Sequence, residues 1–399
     1  MVPSEQFLFD RFNTARSPFS IDTSKQPQIL WESNLRSLSK AGPESAPVFD
    51  RYGNMYFGSH DGCFYSYDKN GNHRWMYSVG AQIYSSPIIN DERVIVASGN
   101  GYLLCFSLNG ELLWTYDIAE ENRRFKVRIK NDFRNYLSTV MKFGLSRYQF
   151  KLWNRMSWAS PKIIDDAVYI TGCGKGVHAV DKITGKRLWV REMEKPNHHL
   201  AGVVTGIYGD IIAVAQKRWI YSLTTANKVR WKKRLKNNWD NWSTPSVDPK
   251  TGDIFIASSN GETKSILYCY SKDGEVKWST DLEGAIRGSA AISYDTYVVL
   301  VTLSGHLYFV DKNQGNVIKD ELISQSTRAL WTTPTIDKTG NVLFTIKESS
   351  KEGSIICFNK NGDLVWKLEG VGKTLSVPII DEKGRIFIGS WRGSMMCIK

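Results

Sequence analysis

A unit of about forty residues recurs along this chain, and that repetition restricts its fold more than any other feature. One copy reads SAPVFDRYGNMYFGSHDGCFYSYDKNGNHRWMY from Ser45, and the next reads SSPIINDERVIVASGNGYLLCFSLNGELLWTY from Ser85. Further copies begin at Ala159, Ser243 and Thr332, with weaker ones over 202–235 and 288–322. Pro47 and Pro87 lie 40 residues apart, and Pro334 and Pro378 lie 44 apart. Pro87 and Pro161 are 74 apart, one period plus an insertion of about 34 residues.

Each unit holds four short runs of alternating, β-branched or aromatic residues. Gly, Asn and Asp turns separate them, so they read as antiparallel strands A to D. The C–D turns carry Asn70-Gly71, Asn109-Gly110, Thr184-Gly185, Asp273-Gly274 and Asn361-Gly362, pairs that supply the positive φ of tight hairpins. Four strands in each of these repeats indicate a β-propeller. Seven units are complete. The eighth starts at Ser376 and has three strands by Lys399, while Ile29-Leu30-Trp31-Glu32 matches the missing D strand. The expected fold is therefore all-β, an eight-bladed propeller whose last blade is closed by the N-terminal strand. Residues 1–27 are expected to form an extended arm, and 28–399 the propeller.

Composition agrees with a globular chain: 399 residues, 42% apolar and 23% charged, which excludes a disordered or collagen-like polymer. At this length no disulfide or metal staple is required. No apolar run approaches the ~18 residues of a membrane-spanning helix. The opening MVPSEQFLFDRFNTARSPF has no basic region followed by an apolar one, so a cytoplasmic location is expected.

The repeat resembles the quinoprotein-type, or pyrroloquinoline-quinone-like, propeller repeat. That pattern has a Pro-starting inner strand, a VYVGS-like second strand, a LYALD-like third strand, a TG turn and a Trp-bearing fourth strand. Val177-His178-Ala179-Val180-Asp181, Thr184-Gly185 and Trp189 follow it. The resemblance covers about 45–399 plus the strand at Trp31. It implies the fold, within a family of quinone-dependent dehydrogenases and of non-enzymatic scaffolds and sensor domains. The dehydrogenases carry an adjacent cysteine pair and a calcium site; this chain has no Cys-Cys dipeptide, so no quinone or other cofactor is expected.

Cys105, Cys269, Cys357 and Cys397 share one repeat position, the small residue of strand C, which Ala179 and Ser66 fill elsewhere. Equivalence across blades points to packing rather than to a metal site, and no CxxC or Cys/His ligand spacing exists. His178 stands where Tyr221, Tyr268 and Tyr308 stand in other units, which makes it structural.

Fourteen tryptophans are present. Trp31, Trp75, Trp114, Trp189, Trp231, Trp278 and Trp366 belong to D strands, with Ile318 as the expected substitute in the sixth unit. The other seven, Trp153, Trp158, Trp219, Trp239, Trp242, Trp331 and Trp391, fall in D–A or B–C connections or in the insertion, which lie at one end of the propeller. The residue three before the inner-strand Pro is expected to line the channel mouth. Around the ring it is Glu44, Tyr84, Trp158, Ala201, Trp242, Arg287, Trp331 and Leu375, the fourth and sixth units lacking the Pro and being placed by strand match. Nearby loops add His60, Arg218, Trp239, Asp240, Arg328, Lys373 and Arg392. An Arg between aromatic faces suits a planar, aromatic or anionic group. Two readings compete: large side chains that plug the channel, or an aromatic ligand funnel.

Residues 117–158 interrupt the repeat with ten Lys or Arg against four acids, half of the net charge of +12. Phe133, Leu137, Val140 and Met141 recur at helical spacing, so a mainly helical insertion is expected over the aromatic face. A lid, an anionic-membrane contact, a nucleic-acid contact and a packed decoration all fit its composition, nucleic acid least, because no other basic nucleic-acid motif is present.

The expected function is binding: a scaffold taking an acidic or aromatic peptide, small molecule or protein partner. Its site would draw on Tyr84, Trp158, Trp239, Trp242, Arg287, Arg328, Trp331, Lys373, Trp391 and Arg392. The alternative is a quinone-independent lyase, cyclase or hydrolase using the same funnel, with His198, His199 or Asp240 as acid or base. No triad or metal-ligand spacing supports the alternative directly.

Overall fold

The alternating runs pair as the repeat requires. A computed structural model of the chain describes residues 5–35, 42–118, 158–172, 176–193, 201–215, 218–235, 239–325 and 332–399. They form eight four-stranded antiparallel sheets, and the outermost strand of each is the fourth of its repeat. Seven sheets take their strands in chain order. The eighth reads Ile29–Asn34, Ser394–Ile398, Ile386–Ser390, Ile379–Ile380, so the N-terminal strand completes it. Trp31 sits opposite Cys397 and Glu32 opposite Met396. Strands A to C are buried almost throughout, whereas the outer strands alternate between half-buried and exposed. The expected helical insertion at 117–158 falls almost wholly outside the described residues.

One side-chain pair recurs as the joint between blades. The small residue of strand C faces the indole of strand D: Cys105 with Trp114, Cys269 with Trp278, Cys357 with Trp366, Ala179 with Trp189 and Ser222 with Trp231. A small partner leaves room for the indole to lie across the C–D turn of the following blade. At Gly110 (φ +94°) a Cβ would come within 2.8 Å of the Trp75 ring, so this turn needs glycine both for its φ and for the space. The Trp75 indole N–H donates to the Leu108 carbonyl at 3.0 Å. Trp189, Trp231 and Trp278 donate in the same way to Thr225, Lys272 and Lys312 at 2.9, 3.0 and 3.1 Å. Burial raises the Cys105 and Cys397 thiols to about 12, as expected of packing residues rather than reactive ones. His178 is fully buried with Nδ1 2.9 Å from the Tyr116 hydroxyl.

Blade 6 corrects one expectation. The residue at the indole position is Lys319, opposite Phe309, and not Ile318. The large ring has moved to strand C, and the lysine stem covers Gly362 while its ammonium donates to the Gly362 carbonyl. Ile318 points outward and is exposed.

The N-terminal arm is not a loose extension. Its described residues run around the inside of the ring and meet the inner strands blade after blade. The backbone N–H groups of Ile89, Thr205, Val247, Ile292 and Ile336 donate to the carbonyls of Glu5, Arg11, Phe12, Thr14 and Ala15. All five donors stand at the same place in their repeats, two residues after the Pro or its equivalent, on an inner strand that has no neighbouring strand on its channel side. The arm thus pairs edge groups that would otherwise be buried unsatisfied. To follow the curve it uses left-handed backbone at Leu8, Phe9, Asn13 and Ala15 (φ 55–72°), each costing about 1 kcal/mol or more. Leu8, Asn13 and Ala15 are fully buried, and the Asn13 amide donates to the Pro245 carbonyl at 3.2 Å.

In blade 3 a side chain holds the arm instead. The Lys162 ammonium, 1% exposed, donates to Gln6 Oε1 at 3.1 Å and to the Asp10 carbonyl at 2.9 Å. Burial pushes its pKa down to about 7, with Asp10 pulling the other way.

Trp31→Ala should lower the unfolding free energy by about 2–3 kcal/mol, because a half-buried indole at the closing joint is lost. Ile318→Ala should change it by about 0.5 kcal/mol or less. Urea denaturation checks both, and equal effects would contradict the register of blade 6. For Lys162 the unfolded side chain titrates near 10.4, so the unfolded state binds the proton more tightly. Stability of the wild type relative to Lys162→Met should then rise between pH ~7 and ~10. A pH-independent difference would contradict the lowered pKa of the buried amine.

Candidate functional site

The D–A connections enter the ring at one end, and a belt of hydroxyls fixes them there. In four of the blades the residue just before the inner-strand Pro or its equivalent donates its N–H to a hydroxyl of the next blade: Ala46 to Ser86, Ser86 to Ser160, Gly202 to Thr244 and Ser289 to Thr333, all at 2.8–2.9 Å. Above this belt opens a cavity of about 530 Å³. Its floor includes Phe7 of the arm, and its mouth is lined by residues of the D–A and B–C connections.

Six of the eight expected mouth residues line it: Glu44, Tyr84, Trp158, Trp242, Arg287 and Leu375. Ala201 is one place out of register: the pairing of Val204 with Ile212 makes Val203 the equivalent of the Pro, so the mouth position of blade 4 falls on Leu200, which like Trp331 lies outside the described residues. The rings form a continuous arc. Trp391 and His60 have centroids 5.1 Å apart, His60 and Tyr84 4.4 Å, Tyr84 and Trp158 4.7 Å, and Trp158 and Trp242 6.0 Å. The arc ends in cations. The Arg287 guanidinium lies 4.5 Å from the Trp242 ring centre, and the Lys373 ammonium 3.0 Å from that of Trp391. Lys347 completes the cationic side. Burial and then the neighbouring Lys347 hold Lys373 below the usual lysine range, while Glu44 opposes them. Glu44 is the one carboxylate among the described lining residues, and it pairs with His60 at 2.7 Å. Burial, and then Glu44, raise the Tyr84 hydroxyl to about 12, so it stays protonated as a donor.

The arrangement can hold a flat apolar group against the rings and an anion against Arg287, Lys347 and Lys373. Other expected residues lie elsewhere. Trp239 packs on the core between blades 4 and 5. The Asp240 backbone bridges to Ser259 in both directions. Arg392 turns to Glu352 at 2.7 Å and to the Gly370 carbonyl. His198, His199 and Arg328 lie outside the described residues.

Lys347 and Phe7 are among the lining residues that were not anticipated. Lys347 leaves strand B of blade 7 at the position that His60 and Trp391 hold in blades 1 and 8, so aligning strand B as well as strand A would have found it. Phe7 carries no repeat signal.

The adjacent cysteine pair and calcium ligands of the quinone-dependent dehydrogenases have no counterpart among the described lining residues. The described cysteines sit inside strand C away from the cavity, and Glu44 is already paired. Among the described residues no three His, Cys, Asp or Glu gather as a metal site.

Comparison with known proteins gives consistent matches. The family model described as outer membrane protein assembly factor BamB matches residues 23–132 and 174–399. The outer membrane protein assembly factor BamB of Yersinia pestis is 24% identical over 245 residues, 56% of this chain and 58% of that protein, so the aligned stretch spans somewhat over half the length of that relative. Among solved structures, BamB from Moraxella catarrhalis superposes with a TM-score of 0.69 at 14% identity, over 94% of this chain and 99% of that one. The quinohemoprotein alcohol dehydrogenase from Comamonas testosteroni superposes with a TM-score of 0.58 at 13% identity, over 99% and 80%. At these identities the superpositions speak for the fold. The expected cytoplasmic location is overturned, because the matched family and relative are named for assembly at the outer membrane, outside the cytoplasm.

Proposed function

The chain belongs to the family of the outer membrane protein assembly factor BamB, and from that premise we propose that it is a binding scaffold in outer-membrane protein assembly. Its working face is the mouth of the ring. There it takes an acidic or aromatic peptide segment, or a small molecule of that chemistry. The observation that carries this reading is the arc of Trp391, His60, Tyr84, Trp158 and Trp242 facing Arg287, Lys347 and Lys373 in one cavity of about 530 Å³. A space of that size admits one or two side chains of a bound segment, not a folded domain.

Specificity would come from the pairing of ring and charge. Trp242 and Arg287 present a guanidinium lying against an indole, a surface on which an aromatic carboxylate can stack and be neutralised together. The described chain stops at Ile118 and resumes at Trp158, a lining residue, and we propose that the ten Lys or Arg of the insertion steer acidic segments toward the mouth.

Titration of fluorescently labelled peptides containing Trp-Asp or Phe-Glu pairs tests the reading. Arg287→Ala and Trp242→Ala should each weaken capture about tenfold, equivalent to ~1.4 kcal/mol. Asp240→Ala should leave it unchanged. Unaltered affinity in Arg287→Ala would reject the site.

A further inference from the structure

Charge is spread unevenly over the eight blades. Residues 201–235, which make blade 4, contain seven Lys or Arg and one acid, Asp210. With the +6 of residues 117–158, blade 4 accounts for the entire net charge of +12; the rest of the chain is balanced. Asp210 is buried and accepts a hydrogen bond from the Ser222 hydroxyl, so the described surface of blade 4 is cationic without interruption.

The cations concentrate on the outer strand, Val229–Arg234, of sequence VRWKKR. This strand ends its sheet, so one side of its backbone has no neighbouring strand. Every blade offers such an edge, and backbone geometry alone cannot choose among eight of them. Charge can. Six of the other outer strands hold at least one carboxylate, as in LLWTYD, RLWVRE and VIKDEL, and the seventh, HRWMYS, has a single Arg. Only VRWKKR has four cations and no acid.

Their placement separates two roles. Trp231 and Lys233 face blade 5, where the indole donates to the Lys272 carbonyl and the ammonium pairs with Glu275 at 2.6 Å. Lys232 and Arg234 alternate with them onto the opposite face. Lys232 lies 4.0 Å from the Trp219 ring centre, and Arg230, at the register shift, lies 4.1 Å from that of Tyr208. Trp219 belongs to strand C and Tyr208 to the A–B turn, so these side chains lie across the face of the sheet, while Arg230 and Arg234 remain exposed.

We infer that this edge docks an extended acidic segment of another protein, which adds a strand beside Val229–Arg234 and sets alternate Asp or Glu residues against Lys232 and Arg234. Backbone hydrogen bonds supply the attachment, and the cations select the sign of the partner. Four like charges on an edge also keep copies of this chain from pairing with one another, so the same field that blocks self-association admits an opposite strand. The site lies on the outer rim, and its test is independent of the cavity.

Fluorescence anisotropy of the full chain with a labelled peptide of alternating Glu and Val is the experiment. Three comparison probes accompany it: the same residues with the Glu in one block, a Lys/Val peptide, and vesicles of anionic phospholipid. The alternating acidic peptide should bind, weaken with added salt, and lose at least tenfold in affinity in Lys232→Glu/Arg234→Glu. Lys232→Gln/Arg234→Gln should lose less, and Lys360→Glu on blade 7 nothing. Amides of Val229–Arg234 should gain protection from hydrogen exchange on binding. Unchanged affinity in both double variants overturns the inference. Equal binding of the blocked peptide without amide protection overturns it as well. So does capture of vesicles through these residues with no binding of the peptide.

Discussion

The pairing of Ile29–Asn34 with Ser394–Ile398 is the contact on which the rest of the molecule depends. Seven blades are local in sequence; the eighth exists only when the two ends of the described chain meet. Without that pairing, strand C of blade 8 would present a row of unpaired N–H and C=O groups, and the Trp31 indole would lose its seat on the Gly71 turn of blade 1. Closure also fixes where the preceding residues go. Residues 5–17 are drawn into the ring, where they take up the channel-side donors of five inner strands. One long-range pairing therefore makes the ring, stops the channel and turns a through-hole into a cup.

The cup shows how a repeat fold acquires chemistry. Positions that repeat faithfully are mechanical: the indole and its small partner, the turn glycine, the hydroxyl belt. Positions that are free to vary converge at the mouth, because six of the D–A connections deliver one described side chain each to the same rim. Glu44, Tyr84, Trp158, Trp242, Arg287 and Leu375 are equivalent in the repeat and unlike in chemistry. This explains how a fold shared with a quinohemoprotein dehydrogenase can carry a different set of lining side chains. The outer rim follows the same logic. Eight equivalent edges become distinguishable only through side-chain charge, and blade 4 differs most.

Much of this is legible in the sequence. The spacing of Pro47, Pro87, Pro334 and Pro378 counted the blades, and Trp31 identified the closing strand because its flanks match a D strand. The strand-C cysteines could be read as packing because Ala179 and Ser66 replace them. Six mouth residues followed from one offset relative to the inner-strand Pro. The failures have physical reasons. Sequence alignment placed Ile318 at the joint because it is apolar, but the lysine stem of Lys319 does the same work once Phe309 fills strand C. The path of the arm has no periodicity to read, since it follows a curved channel in irregular backbone with left-handed residues at Leu8 and Asn13. Trp239 and Arg392 share loops with lining residues, yet a core contact and an ion pair turn them away. The expected cytoplasmic location failed because a terminal stretch was asked to report on a compartment.

Amide hydrogen exchange in the full chain and in a chain beginning at Asp22 tests the central claim directly. Protection of Ile89, Thr205, Val247, Ile292 and Ile336 in the full chain, lost together in the shortened one while the outer-strand amides stay protected, is the predicted result. Equal protection of those five amides in both chains would mean that the arm does not line the ring, and the floor of the cup would have to be something else.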